Sequence, residues 1–247
     1  MKKIVLCGHE KTGTTWALFV VCNYFNILNF DAKECLPWGE VLRIVGGYKQ
    51  RAIELTDKEY KFNKGVAHVY YTHTSIYNSP KTKIFFNQFD NIIYICRNPF
   101  DTMISLYHYK IIKGIPKILN NIKKVGGLRK YIPFDNFIRK GDSVDEYINH
   151  IKYNKHKADL VLDYDKLRKD PSNFRKLIGF LTDKIDEKLF KKALKLSSFD
   201  NIRRIEIEQK KVNLKARNGR TGQYKEQMNK KQIDFIKNKW LKASLHE

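Results

Sequence analysis

The stretch Lys2-Lys3-Ile4-Val5-Leu6-Cys7-Gly8-His9-Glu10-Lys11-Thr12-Gly13-Thr14-Thr15-Trp16 changes its pattern twice. A short apolar run ends at Gly8, which predicts a buried strand over Lys2–Cys7. A polar loop containing Gly13 follows, and the apolar stretch Trp16–Leu28 behind it is long enough for a buried helix. Strand, glycine loop and helix in that order open a phosphate-binding βα unit. Free N–H groups at the helix start, the hydroxyls of Thr12, Thr14 and Thr15, the freedom of Gly13 and the charge of Lys11 together suit an oxyanion. A nucleotide-triphosphatase loop would need lysine directly after its last glycine, then Ser or Thr. Here Thr14 follows Gly13, and Lys11 stands two residues before it.

Outward from this unit, Gly65–Thr72 and Asn91–Cys96 read as strands rich in Val, Ile and Tyr. The second runs into Arg97-Asn98-Pro99, and Pro99 is placed to open a helix over Phe100–Ile112. Residues 113–142, punctuated by Gly and Pro and rich in Lys, read as a long excursion able to cap a site. Beyond it the patterning predicts a helix over Ser143–His156 and a strand over Leu160–Tyr164. Helices are expected over Pro171–Leu181, Asp186–Leu196 and Lys230–Leu241. Alternating strands and helices give an α/β fold: one domain over 1–247, with a mostly parallel central sheet flanked by helices.

Four segments, in order along the chain, are similar to the cytosolic-type sulfotransferases that use 3′-phosphoadenosine-5′-phosphosulfate (PAPS). Lys11-Thr12-Gly13-Thr14-Thr15-Trp16 resembles that family's phosphosulfate loop. Ile93–Ser105, containing Arg97-Asn98-Pro99-Phe100-Asp101, resembles its strand–RNPxD–helix segment, which implies that Arg97 and Ser105 hold the 3′-phosphate. Arginine at a strand end offers a bidentate fork for phosphate. Taken alone, the same string also fits an Arg97–Asp101 pair at a helix start. Val69–Thr74 resembles the family's KTH element, which implies that His73 is the general base. A neutral imidazole suits that role near pH 7. Tyr71 stands where the family has lysine, which leaves Lys11 to stabilise the leaving group.

Leu214–Lys225 is similar to the family's late RKGxxGDWK segment, which implies phosphate contacts from Arg217, Asn218 and Gly219. Asn218 replaces its lysine, Tyr224 its tryptophan, and Arg220 is able to restore the lost charge. Weaker echoes imply that Tyr164, Ser197 and Phe199 bind the adenine end, with Trp16 and Phe199 stacked on the base. The resemblance implies a sulfotransferase fold related to P-loop kinases. It implies metal-free sulfuryl transfer from PAPS to an acceptor hydroxyl or amine, leaving adenosine 3′,5′-bisphosphate (PAP). The acceptor is open between a small molecule and an anionic glycan or peptide. The family's dimer motif fails after Lys225, at Asn229, Lys230 and Asp234, so a monomer or weak dimer is expected.

The net charge of +22 fits an anionic ligand, and it is uneven. Up to residue 100 there are 13 basic and 8 acidic side chains; beyond it there are 35 and 18. Two other classes compete for this charge. A polyanion or nucleic-acid binder would use Lys110–Lys140 and Arg203–Arg220, without any recognised nucleic-acid motif. A nucleotide kinase with a degenerate loop would need a Walker lysine and a metal-holding carboxylate, and neither stands in place. Cys7, Cys22, Cys35 and Cys96 show no CxxC pairing and no zinc-ligand spacing, so reduced thiols in a cytoplasmic protein are expected. No apolar run reaches the length of a membrane span.

Overall fold

The computed structural model describes residues 2–25, 41–45, 48–54, 66–73, 83, 86–109, 133–140, 143–208 and 219–244. They fall into two compact units, Met1–Arg97 with His150–Gly219 and Asn98–Asn149 with Arg220–Glu247.

The first unit is built on a six-stranded sheet. In chain order the strands are β1 (Lys2–Cys7), β2 (Val41–Val45), β3 (Tyr48–Glu54), β4 (Val66–Thr72), β5 (Asn91–Cys96) and β6 (Leu160–Asp163). Their order across the sheet is β2-β3-β4-β1-β5-β6. From β4 to β6 every pairing is parallel, whereas β2 and β3 add an antiparallel edge. The expected α/β architecture with a mostly parallel sheet is what forms. Strand β1 lies between β4 and β5, and Ile4, Val5, Leu6 and Cys7 are at most 1% exposed. A strand covered on both faces needs an unbroken apolar run, which is why this one does not alternate. Helix α1 (Thr14–Phe25) packs Ala17, Leu18, Val20, Val21 and Tyr24 into the same core as Ile93, Ile95 and Leu162.

Register fixes where the strands end. Cys7 pairs with Thr72 on one side and Tyr94 on the other, and Cys96 pairs with Asp163. The parallel strands therefore finish along one edge, where ligands of open α/β sheets bind. Strand β6 stops one residue earlier than its apolar pattern suggests, because Asp163 caps a helix. Its carboxylate accepts from the N–H groups of Asp165 at 2.8 Å and Lys166 at 3.1 Å, and Tyr164 becomes the first residue of the helix Tyr164–Lys169. The helix expected from Pro171 begins instead as a 3₁₀ turn, Pro171–Phe174, capped by Asp170, before Arg175–Leu181.

The second unit is helical. Residues 99–109 form a helix that begins at Pro99, as expected, and Phe134–Lys140, Tyr224–Gln227 and Lys230–Ser244 are the others. The helix Ser143–Lys155 contributes to both units. Within the second unit Tyr107 packs against Phe134 and Phe137, with ring centroids 5.0 and 5.4 Å away. Asp101 accepts from the backbone N–H of Gly222 at 2.6 Å and of Tyr224 at 3.1 Å, and from the Asn98 amide at 3.0 Å. Of the excursion 113–142, Phe134–Lys140 is helical, and most of the remainder lies outside the described residues. No helix among the described residues is long and apolar enough to cross a membrane.

Candidate functional site

The loop between β1 and α1 is curled tightly. Thr12 donates to the carbonyl of His9 twice, from its hydroxyl at 2.7 Å and its N–H at 3.3 Å. Lys11 has φ 71° and Gly13 φ 100°. Left-handed positions this close together are the backbone conformation in which successive N–H groups can form a concavity suited to an anion. Helix α1 then opens with the Gly13 carbonyl accepting from Ala17 at 3.1 Å. Its first turn adds the unsatisfied amides and positive end of the helix dipole.

Arg97 closes one side. It follows the last residue of β5, is 7% exposed, and donates to the Lys11 carbonyl at 3.4 Å. Its guanidinium lies 4.4 Å from the centre of the Tyr164 ring. Tyr164 presses on the loop: a Cβ on Gly13 would come within 2.3 Å of its ring, so only glycine fits there. The Tyr164 hydroxyl donates to the Gly219 carbonyl at 3.3 Å, and a Cβ on Gly219 would meet the Phe199 ring at 2.4 Å. Trp16 stands edge-on to Tyr164 and Phe174, at 5.8 and 4.8 Å, and its indole N–H donates to the Ser197 carbonyl at 2.8 Å. Ser197 is fully buried, and its hydroxyl accepts from Asn23 at 2.9 Å.

The expected site residues Lys11–Trp16, Arg97, Tyr164, Ser197, Phe199 and Gly219 are therefore joined by contacts within the first unit, from sequence positions more than 200 residues apart. His73 joins them through the loop: its Nδ1–H donates to the Gly8 carbonyl at 2.7 Å. Ser105 lies on the helix 99–109, in the second unit. Arg217 and Asn218 are outside the described residues. Tyr71 sits on β4 opposite Leu6.

Behind His73 is a residue that the sequence reading passed over. His150 donates through Nε2 to the His73 carbonyl at 3.2 Å, while its Nδ1 accepts from the Tyr94 hydroxyl at 3.0 Å. His9 meets the same imidazole edge-on, with centroids 5.2 Å apart. His150 shares the buried face of its helix with Tyr147, Ile151 and Asn154, so its only sequence signal is a histidine on an apolar stripe. Among the described residues no group of three or more His, Cys, Asp or Glu side chains is placed to hold a metal.

Burial first, and the neighbouring His9 second, push the His150 pKa down from 6.5 to about 3. The unfolded chain protonates this group near pH 6.5, and the native protein only near pH 3. Between those values the unfolded state holds more protons. The stabilisation is therefore complete above pH 6.5 and is lost as pH falls toward 3, by up to ~1.4 kcal/mol per pH unit. Urea unfolding at pH 7 and pH 5 should show this slope in the parent protein and a shallower one in His150→Gln. Equal slopes would mean that His150 does not remain neutral in the fold.

Cys7 and Cys96 are free thiols; burial raises both, Cys96 to about 11, so neither is a reactive thiolate at neutral pH.

The sulfotransferase domain family matches the chain over residues 1–247. Firefly (Photinus pyralis) luciferin sulfotransferase is 28% identical over 81% of this chain and 56% of its own length. Human sulfotransferase 1C2 is 23% identical over 81% of this chain and 65% of its own length, so the chain spans under two thirds of these relatives. Two solved structures share the fold. A retinol dehydratase in complex with androsterone and inactive cofactor PAP superposes with a TM-score of 0.68 at 16% identity, covering 98% of this chain and 80% of that one. The mouse sulfotransferase SULT7A1 complexed with PAP gives 0.62 at 21% identity, covering 98% and 83%. A family match along the whole chain, on a sheet whose strand ends gather a curled anion loop, a buried arginine and an aromatic cluster, makes this protein a member of the sulfotransferase domain family.

Proposed function

We propose that this chain transfers a sulfuryl group from PAPS to the hydroxyl or amine of an acceptor. One observation carries the proposal: Lys11–Thr15, Arg97 and His73 meet at one edge of the parallel sheet, each tied to the others through the loop backbone. The residues fit a phosphorylated adenine nucleotide. The loop backbone is left-handed at Lys11 and Gly13, a conformation that can present N–H groups to an anion, and aromatic faces stand beside it. Two neighbouring folds were solved with PAP, which supports the same donor here.

Lys11, Thr12, Gly13, Thr14 and Thr15 would hold the phosphosulfate, and Arg97 the 3′-phosphate, with Ser105, Arg217, Asn218 and Gly219 as further contacts. Tyr164, Trp16 and Phe199 would form the base end. Ser197 enters as the group that fixes Trp16, since its carbonyl holds the indole and its hydroxyl is turned to Asn23. PAPS supplies the sulfuryl group and a phosphate leaving group. The chain's own work is proton and charge handling. Because the Gly8 carbonyl only accepts, the bond at 2.7 Å keeps the His73 proton on Nδ1 and makes Nε2 the basic nitrogen that would take the acceptor's proton. Lys11 supplies positive charge where the leaving phosphate becomes more negative. The acceptor is a small molecule or an anionic glycan or peptide, and a cytoplasmic setting with free thiols belongs to the same reading.

Calorimetric titration with PAP, against ATP with Mg²⁺, tests the donor class without knowing the acceptor. PAP should bind without metal and in preference to ATP. Arg97→Ala should weaken it by roughly 10- to 100-fold, the range for losing charge-assisted hydrogen bonds. Arg97→Lys, which keeps the charge but not the fork, should recover only part. No binding, or preference for Mg²⁺–ATP, would overturn the proposal.

A further inference from the structure

Arg168 belongs to neither the family motifs nor the residues discussed so far, yet it lies against the two rings assigned to the base. It stands four residues after Tyr164, on the helix Tyr164–Lys169, and so projects from the same helix face. Its guanidinium carbon is 5.5 Å from the centre of the Trp16 ring and 5.2 Å from that of Phe199. The rings themselves are fixed. Trp16 is held by the Ser197 carbonyl and the edge of Phe174, and Phe199 lies tight against Gly219. Arg168 is the displaceable partner by its chemistry: it is half-buried, its side chain has many rotatable bonds, and no ion pair anchors it among the described residues.

We infer that Arg168 is an internal competitor for the nucleotide base and sets the affinity of this site. The inference rests on the PAPS reading above. A guanidinium is flat, delocalised and weakly hydrated, and it stacks on indole and phenyl faces much as a purine does. Two flat groups cannot lie on the same ring faces at once. A base that stacks on Trp16 and Phe199 must therefore displace Arg168 and give up its ring contacts, and that exchange lowers the apparent affinity. Coulomb's law makes the opposite demand, because a cation beside a multiply charged anion strengthens binding. The two effects differ in sign, so the sign of one substitution separates them.

Calorimetry with PAP on the parent protein, Arg168→Ala and Arg168→Lys is the test, alongside ribose 3,5-bisphosphate, which keeps the phosphates and lacks the base. Arg168→Ala should bind PAP about three- to tenfold more tightly, the range corresponding to a half-buried cation–π contact. Arg168→Lys, which keeps the charge but stacks poorly, should also bind more tightly. Neither substitution should tighten binding of the base-free sugar. If Arg168→Ala bound PAP equally or more weakly, Arg168 would be a bystander or a phosphate ligand, and the inference would fall. If both ligands tightened alike, the effect would not concern the base, and it would fall again. If neither the parent nor the variants bound PAP, the PAPS reading would fail first, and this inference with it.

Discussion

A His73→Ala protein is expected to bind PAP within about threefold of the parent and to lose 100- to 10,000-fold in turnover, the range for removing a positioned general base. Turnover would be followed with labelled sulfate donor over a panel of acceptors. The separation of binding from chemistry follows from how His73 is held. Its Nδ1 is committed to the Gly8 carbonyl, and its own carbonyl accepts from His150, which is in turn held by Tyr94. These bonds run from β4 to the loop before helix α1 and to a buried imidazole pair, so in the proposed reaction Nε2 is the nitrogen that would take the proton. Removing the ring deletes one bond to the loop and leaves the loop's own turn, Thr12 on His9, in place. His73→Gln is the sharper control, since its amide is able to donate to Gly8 but offers no nitrogen base. It should bind PAP like the parent and remain as inactive as alanine. If His73→Ala turned over normally, the base would have to be another group, and Nδ1–Gly8 would be only a structural bond.

The local features at the start of this chain were readable because they are encoded within a few residues. A strand that must be buried on both faces is apolar throughout, and a loop that must bend around an anion needs glycine and hydroxyls. Proline at a helix start acts just as locally. What the sequence reading missed lies at longer range or rests on weaker signals. Val41–Val45 and Tyr48–Glu54 pair antiparallel, and the sequence between them, Gly46-Gly47, is a hairpin signal only two residues long. Tyr164 changed element because the Asp163 carboxylate caps a helix where an apolar run alone predicts more strand. His150 reaches His73 across 77 residues, and Arg168 on the helix after β6 reaches Trp16 in helix α1; no periodicity encodes either contact. Arg97, Tyr164, Phe199 and Gly219 lie in motifs legible in the sequence, and in the fold they are joined by contacts. What holds them there is not legible in any motif, because Asn23 and Phe174 act through a buried hydrogen bond and packing.

Gly13→Ala should be strongly damaging for a single added methyl group. At φ 100° an L-residue is strained by about 1–3 kcal/mol before any contact is considered. The added Cβ would then stand 2.3 Å from one Tyr164 ring carbon and 2.9 Å from another, so the ring must move. It has little room to do so, with Arg97 at 4.4 Å, Trp16 edge-on at 5.8 Å and its hydroxyl on the Gly219 carbonyl. Strain and overpacking together should cost about 2–5 kcal/mol in a urea melt. PAP binding should also weaken by tenfold or more, because the same displacement moves Arg97 and tilts the amides of the loop. Gly179→Ala is the matched control. It lies in the helix Arg175–Leu181, where the new Cβ meets only Ile185 at 3.5 Å, so it should stabilise by about 0.5–1 kcal/mol through lower unfolded-state entropy. The two alanines differ in backbone angle and in what their methyl groups strike, and in nothing else chemical. A Gly13→Ala protein as stable as Gly179→Ala, and binding PAP like the parent, would mean that Tyr164 does not press on the loop and that the anion cradle is shaped by other residues.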